Sequence, residues 1–330
     1  MEKNKRKTSG KKARKSSPRS STPTASELPW SAKRVHPSIV EIRCDMTHTL
    51  EQWVLLRSDA HHDNPHSIHE KEKADLDEAV KRKAIIIDIG DFFCAMGGKA
   101  DPRRSRHGIT RPEHIDAPDY FDSLVVHGAK FLAPYSRNFA IIAQGNHETS
   151  VLKHQETDLT ARLVERINTQ TGSHIHDGRY GGDVAFLLRR HGKRATVWLS
   201  YHHGDGGGGL MSFGTLSVRR RASWNPVASV VAFGHIHERW ALEITRRVPM
   251  SNKGKYFVDL LPQHHVCCGT LKDEYGGWKD GLAASGASGW HVERGAPPKP
   301  IGSMWMRIVL ERSKTGGVDR SRPRMEFIPT

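Results

Sequence analysis

The chain lacks any apolar run approaching the roughly 20 residues that cross a bilayer. Its N-terminus is charged but has no apolar stretch of the kind that marks a signal peptide. A soluble, cytoplasmic protein with no membrane partner is the expectation. Cysteine is scarce: Cys44, Cys94, Cys267 and Cys268 are too few and too unevenly spaced to staple 330 residues with disulfides. That points to a reducing interior. A nucleotide P-loop is missing too, because Gly204-Asp205-Gly206-Gly207-Gly208-Gly209 lacks the Gly-Lys-Ser/Thr ending. The run reads instead as a mobile rim. Aromatic residues make up only 7% of the chain, yet hydrophobic residues at 36% leave enough apolar surface for one sizeable core.

Acidic residues are also in deficit. The net charge is +15, and eleven Lys/Arg against two Glu give residues 1–34 a net +9 of it. The same stretch is rich in Ser, Thr and Pro and nearly free of apolar residues, so it cannot bury enough surface to offset its ordering entropy. A disordered basic tail over 1–34 and one main domain over 35–330 are expected. A flexible cationic arm can contact phosphates and speed association with nucleic acid. Nucleic acid is therefore the expected partner, and a merely solubilising tail is the plain alternative.

From about Val35 the pattern changes to short β-branched and aliphatic runs. The candidate strands are Ile39 to Cys44, Trp53 to Arg57, Ala84 to Ile89, Phe139 to Ala143, Val184 to Arg189, Thr196 to Tyr201 and Ser229 to Phe233. Pro118 to Leu132 and Glu148 to Asn168 have helical spacing, and a more polar helix over Glu70 to Lys83 reads as superficial. Lys272 to Pro300 is rich in Gly, Ala and Pro. It reads as a long surface excursion before final strands near Met304 to Leu310 and Met325 to Ile328. Strands alternating with helices, then strand following strand, predict an α/β protein in which two sheets face each other with helices outside.

Five short polar clusters each follow a strand-like run: Ser58-Asp59-Ala60-His61, Gly90-Asp91, Gly145-Asn146-His147-Glu148, Tyr201-His202-His203-Gly204 and Gly234-His235-Ile236-His237. Together they supply the carboxylates, amide and imidazoles that hold two hydrolytic metal ions. Asp59 and His61 are two residues apart, so in an extended segment they point the same way and can share a cation. His235 and His237 repeat that spacing. Asp91 has two carboxylate oxygens with which to bridge two ions, and Gly90 lets the chain turn closely beside it. Asn146 offers a neutral carbonyl, and His147 is placed to act beyond the metal shell. Either His202 or His203 would complete the second ion's shell. Any one cluster reads equally well as a turn or a satisfied polar group; their ordered co-occurrence carries the argument.

This ordered set resembles the calcineurin-like metallophosphoesterase superfamily, whose pattern is Asp-x-His, Gly-Asp-x-x-Asp, Gly-Asn-His-Asp/Glu, a His and Gly-His-x-His. The resemblance spans about Leu55 to Trp240, and the stretch from Asp59 to Val151 is also similar to phosphoesterases of bacterial viruses. It implies a two-sheet β-sandwich flanked by helices, in four α/β/β/α layers. It also implies two divalent ions, manganese first, with iron, zinc or magnesium as the other candidates. Carried over by position, Asp59, His61, Asp91 and His237 would bind one ion, and Asp91, Asn146, His202 or His203, and His235 the other. His147 would be the catalytic His that contacts phosphate. The implied reaction is attack of a metal-activated hydroxide on phosphorus, in line with the departing alcohol. One position departs from the pattern: Cys94 stands where the family often has an Asp that orients the catalytic His, and a thiol is a poor acceptor. Weakened or altered activity follows unless Glu148 or another carboxylate compensates.

Substrate choice has fewer signals. The basic loop Gly97 to His107, with Arg103 and Arg104, is the expected grip on a phosphodiester backbone. Tyr275, Trp278 and Trp290 are candidates for stacking on bases, although such aromatics more often pack a loop onto a core. His264-His265-Val266-Cys267-Cys268 looks like half a metal site but reads as a strand with buried thiols. The functional expectation is a metal-dependent nuclease. Its rivals are a phosphomonoesterase and a metal-binding nucleic-acid adaptor that lost activity through Cys94.

Overall fold

Two mixed sheets organise the computed structural model, which describes residues 28–98, 110–207, 211–252, 254–278, 286–315 and 318–330. Most of the basic tail (residues 1–27), together with Arg103 and Arg104, lies outside the described residues. In chain order the strands are β1 (Trp30–His36), β2 (Ile39–Asp45), β3 (Glu51–Arg57), β4 (Ile85–Asp88), β5 (Phe139–Ile142), β6 (His176–Asp177) and β7 (Gly181–Arg190). They continue with β8 (Lys193–His202), β9 (Val230–Phe233), β10 (Arg239–Asn252), β11 (Lys255–Cys268), β12 (Met304–Thr315) and β13 (Val318–Pro329). The helices are α1 (His69–Lys81), α2 (Pro112–Ile115), α3 (Tyr120–Leu132), α4 (Asn146–Gln155), α5 (Leu159–Thr171), α6 (Thr215–Ser223) and α7 (Trp290–Glu293). One sheet has the order β1-β2-β7-β8-β9-β11-β10 and the other β13-β12-β3-β4-β5-β6.

The strands β3, β4, β5 and β6 pair in parallel, and β12 and β13 extend that sheet antiparallel. Their side chains alternate between two faces, as a period of two requires. Val54, Leu56, Ile85, Ile87 and Met306 join Val40, Ile42, Phe186, Leu199 and Val230 of the other sheet in one apolar cluster. Leu55, Ile86, Ile142 and Trp305 point the opposite way and pack with Leu76, Leu124 and Leu163 from α1, α3 and α5. A smaller cluster sets Val218 and Ala222 of α6 on Val231, Phe233 and Cys267. Strands buried on both faces need apolar residues at every position, which accounts for the run Ile85-Ile86-Ile87. Each such side chain contributes roughly 1.5–3 kcal/mol when fully buried. Among the described residues, no helix is long and apolar enough to cross a membrane.

Three expectations need correction. The helix expected over Glu148 to Asn168 is two helices: Glu156 adopts a left-handed φ of 53°, and Asp158 caps α5 by accepting from Ala161 N at 2.9 Å. Periodicity continued across the break and hid it. The polar helix α1 is not superficial, since Glu72 is fully buried and pairs with Arg57 at 2.6 Å and His62 at 2.8 Å. The stretch read as tail ends too late, because β1 begins at Trp30, pairs antiparallel with β2, and donates from Trp30 Nε1 to Lys83 O at 3.1 Å. Lys33 and Arg34 disguised that strand as part of the basic segment.

Candidate metal centre

The five clusters lie at the carboxyl ends of β3, β4, β5, β8 and β9, where connecting loops of an α/β sheet converge. Main-chain bonds tie the loops together: Asp59 N donates to Gly90 O at 2.9 Å, His61 N to Asp91 O at 3.0 Å and Gly234 N to His203 O at 2.8 Å. His235 N donates to Asp59 Oδ2 at 2.8 Å. The side chains do not converge by extended alternation, however. Asp59, His61, Asp91, His235 and His237 all have positive φ, at 54°, 46°, 54°, 70° and 58°. This region is uncommon for residues with a Cβ and costs of order 1–3 kcal/mol each, so the surrounding structure must impose it. Each of these residues is itself a turn in the chain. Two glycines make room for them: a Cβ on Gly145 would lie 2.0 Å from Asp91 Oδ1, and one on Gly234 would lie 1.9 Å from Ser58 Oγ.

Two groups of donors match the expected ligands, each with its atoms within 4.8 Å of one another, and a third sets Cys94 beside His61 and His147. In the first, Asp59 Oδ1 lies 3.3 Å from His237 Nε2 and 3.9 Å from His61 Nε2, and the two Nε2 atoms are 3.1 Å apart. In the second, His203 Nε2 lies 3.2 Å from Asp91 Oδ2 and 3.1 Å from Asn146 Oδ1. His235 Nδ1 approaches the same Asn146 oxygen at 2.7 Å. His203 is the imidazole brought to this group. His202 instead accepts from Gly204 N at 3.0 Å and lines a separate cleft with Arg221 and Trp224. Asp91 belongs to the second group and neighbours the first, since its main-chain oxygen accepts from His61 N at 3.0 Å.

Protonation follows from burial and these neighbours. Burial first, then His147 and His237, drive His61 well below the usual imidazole range, and burial also lowers His237. Burial pushes the Asp59 and Asp91 carboxyls up, but the facing imidazoles outweigh it and hold both below the ordinary carboxylate range. The reverse holds at His203, where Asp91 overcomes burial and lifts the imidazole to about 9. Asp59 Oδ1, His61 Nδ1 and His237 Nδ1 are buried without hydrogen-bond partners. A buried carboxylate oxygen left unsatisfied among converging imidazole nitrogens is costly, and this donor set fits a divalent cation.

His147 sits beside Asp91, with Nε2 at 3.8 Å from Asp91 Oδ2 and its own N–H donating to Asp91 Oδ1 at 2.9 Å. Its Nδ1 lies 2.6 Å from Cys94 O, so the ring donates to a main-chain carbonyl. The thiol that was expected to deprive His147 of support is therefore bypassed. Cys94 Sγ instead accepts from Asn64 Nδ2 at 3.3 Å. Nor does Glu148 substitute for the missing Asp. Its carboxylate accepts from Asp91 N at 3.2 Å, Phe93 N at 2.8 Å and Gly145 N at 2.8 Å, holding the Gly90-Asp91 turn. Sequence reasoning missed Asp63, which accepts from Cys94 N at 2.6 Å and Ala95 N at 2.9 Å and so places the carbonyl that holds His147. Its position two residues after His61 was the available signal.

Other polar clusters resolve as packing. His62, His69 and Glu72 gather, but the two rings stack in parallel at 4.0 Å and Glu72 is taken up by Arg57 and His62. Cys267 and Cys268 are buried in β11. Tyr275 donates to Ala296 O, and Trp290, about half exposed, carries the Arg294 guanidinium 4.4 Å from its ring centre.

No family model matches the chain, and no curated protein matches it. Nine chains of solved structures do. One is a conserved uncharacterized protein of Streptococcus pneumoniae, described as a predicted phosphoesterase. It is similar with a TM-score of 0.31 and 9% identity, over 84% of this chain and 90% of that one. Another is GAP50, the anchor in the inner membrane complex of Plasmodium, with a TM-score of 0.39 and 10% identity over 83% and 89%.

Proposed function

We propose that the chain is a metal-dependent phosphoesterase with the four-layer calcineurin-like architecture, acting on nucleic acid through two divalent cations. The observation that carries this reading is the adjacency of two oxygen-and-nitrogen donor groups, tied together by His235 N on Asp59 Oδ2 and His61 N on Asp91 O, with a tethered His147 beside Asp91. Asp59, His61, Asp91 and His237 would hold one cation, and Asp91, Asn146, His203 and His235 the other. When bound, such a pair lowers the pKa of a water molecule and offsets the negative charge that builds on a phosphate. The protein's own groups do the rest. Asp59 and Asp91, at 0% and 2% exposure, keep the donors out of competing water. His147, with Nδ1 fixed on Cys94 O and 13% of its side chain exposed, can present Nε2 to a phosphate or leaving oxygen. The preference for nucleic acid rests on the charge of residues 1–34 and on Arg103 and Arg104.

Manganese-loaded protein offered bis(p-nitrophenyl) phosphate, p-nitrophenyl phosphate and single-stranded DNA tests the proposal. Asp91→Asn and His235→Ala are expected to lose metal and turnover together. His147→Ala should keep its metal and lose about 10²–10⁴-fold in kcat. Full turnover in His147→Ala would remove its assigned role, and hydrolysis of none of these esters with manganese, iron, zinc or magnesium would end the reading.

A further inference from the structure

The segment after β11, read from its composition as a surface excursion, runs first against the candidate centre. Thr270 Oγ1 and Leu271 N both donate to Asp59 O, at 2.9 and 3.1 Å, and Asp273 N donates to His66 O at 2.9 Å. Lys272 is thereby delivered beside the Asp59 group, with only 10% of its side chain exposed.

Glu274 organises what surrounds it. The residue is 4% exposed, and its Oε1 takes Lys272 Nζ at 2.8 Å and Trp290 N at 3.0 Å. Its Oε2 takes His291 N at 3.2 Å and His291 Nδ1 at 2.5 Å. Gly289, at φ +115°, permits the approach, since a Cβ there would lie 2.5 Å from Glu274 Oε1. The result is that the His291 ring stands edge-on to the His237 ring, with centroids 5.1 Å apart. Four donors consume the carboxylate, whereas Lys272 has three N–H donors and His291 has a second ring nitrogen to offer.

Glu274 offsets the Lys272 charge, so the pair does not simply repel a cation, and the N–H donors of Lys272 beyond the one Glu274 takes, with the second ring nitrogen of His291, suit the oxygens of an anion. We propose that Lys272 and His291, positioned by Glu274, form a phosphate-recognition subsite on the Asp59 side of the centre, holding a non-reacting oxygen of the substrate's phosphate. This rests on the phosphoesterase reading for its context, though not for its test.

Inorganic phosphate is the probe, titrated calorimetrically into manganese-loaded protein, with KM for p-nitrophenyl phosphate measured in parallel. Lys272→Met should weaken phosphate binding by about tenfold or more and raise KM by a similar factor, falling on KM more than on kcat, with bound manganese per chain unchanged. Lys272→Arg should restore most of the phosphate affinity, and Glu274→Gln should reproduce the loss while leaving the unfolding midpoint of the metal-loaded protein within a few degrees. Phosphate affinity in Lys272→Met equal to that of the unaltered protein would overturn the subsite, as would no phosphate binding by the unaltered protein. Lys272-dependent phosphate binding by a protein that hydrolyses no ester would uphold the subsite and sink the hydrolase reading alone.

Discussion

Cys94 illustrates how a contact can survive the loss of the side chain expected to make it. His147 is oriented by the carbonyl of residue 94, a group every amino acid carries, and Asp63 holds that carbonyl's peptide through the N–H groups of Cys94 and Ala95. Burial, then the nearby Asp63, pushes the Cys94 thiol up to about 12, so it is a thiol rather than a thiolate at neutral pH. Cys94→Ala is expected to keep kcat within about threefold while costing about 1–2 kcal/mol in urea unfolding, through lost volume and the lost Asn64 bond. Cys94→Asp should be the more damaging change, because it would bury a second carboxylate beside Asp63; higher activity and unchanged stability in that variant would contradict this account. The ligand types and their order were legible in the sequence. The left-handed turns at Asp59, His61, Asp91, His235 and His237 were not, since nothing in the residue types forces them and only packed neighbours over-determine them.

Among the elements, α1 shows why composition misjudged depth. Its exposed face carries ion pairs such as Lys73 with Asp77 at 2.6 Å, which made the whole helix read as solvated. Its inner face buries Leu76 and Ala79 and places Glu72 against Arg57 of β3, whose Nε also lies 2.8 Å from Asp88 Oδ2 of β4. Burial pushes the Glu72 carboxyl up, but Arg57, then His62, outweigh it and hold it at about 2 against an ordinary 4.5. A depressed carboxyl stabilises the fold above its unfolded pKa and loses that contribution as pH falls from 4.5 towards 2, by roughly 3 kcal/mol in all. Urea midpoints measured from pH 6 to pH 2 should show this loss, and Glu72→Gln should remove that limb of the profile while lowering stability at pH 6 by about 3–5 kcal/mol. An acid limb that persists unchanged in Glu72→Gln would assign it to another group. The break between α4 and α5 was hidden for a related reason: Asp158 is a capping residue by type, but apolar spacing on either side masked it until its bonds to Ala161 N and Gln144 Nε2 were visible.

For the whole molecule, the densest run of positive charge in the sequence lies ahead of β1. Residues 1–27 hold nine Lys/Arg against two Glu, a net +7, and precede the first strand. On the proposed nucleic-acid reading, deleting 1–27 should leave thermal unfolding unchanged. The deletion should also flatten the log–log salt dependence of single-stranded DNA binding, by at most about 6 for nine cations. Deleting 1–34 should in addition destabilise the protein, because it removes Trp30 from the core shared by both sheets; equal stability of the two truncations would mean β1 contributes nothing. The chain's own residues were enough to indicate an α/β protein with two facing sheets, most strand positions and the donor types of the candidate centre, because burial on a sheet imposes apolar runs and metal chemistry limits the choice of ligands. The depth of α1, the choice of His203 over His202, the carbonyl support of His147 and the approach of Lys272 and His291 depend on contacts between residues far apart in the chain. Such contacts come from how the layers pack, and local pattern does not encode them.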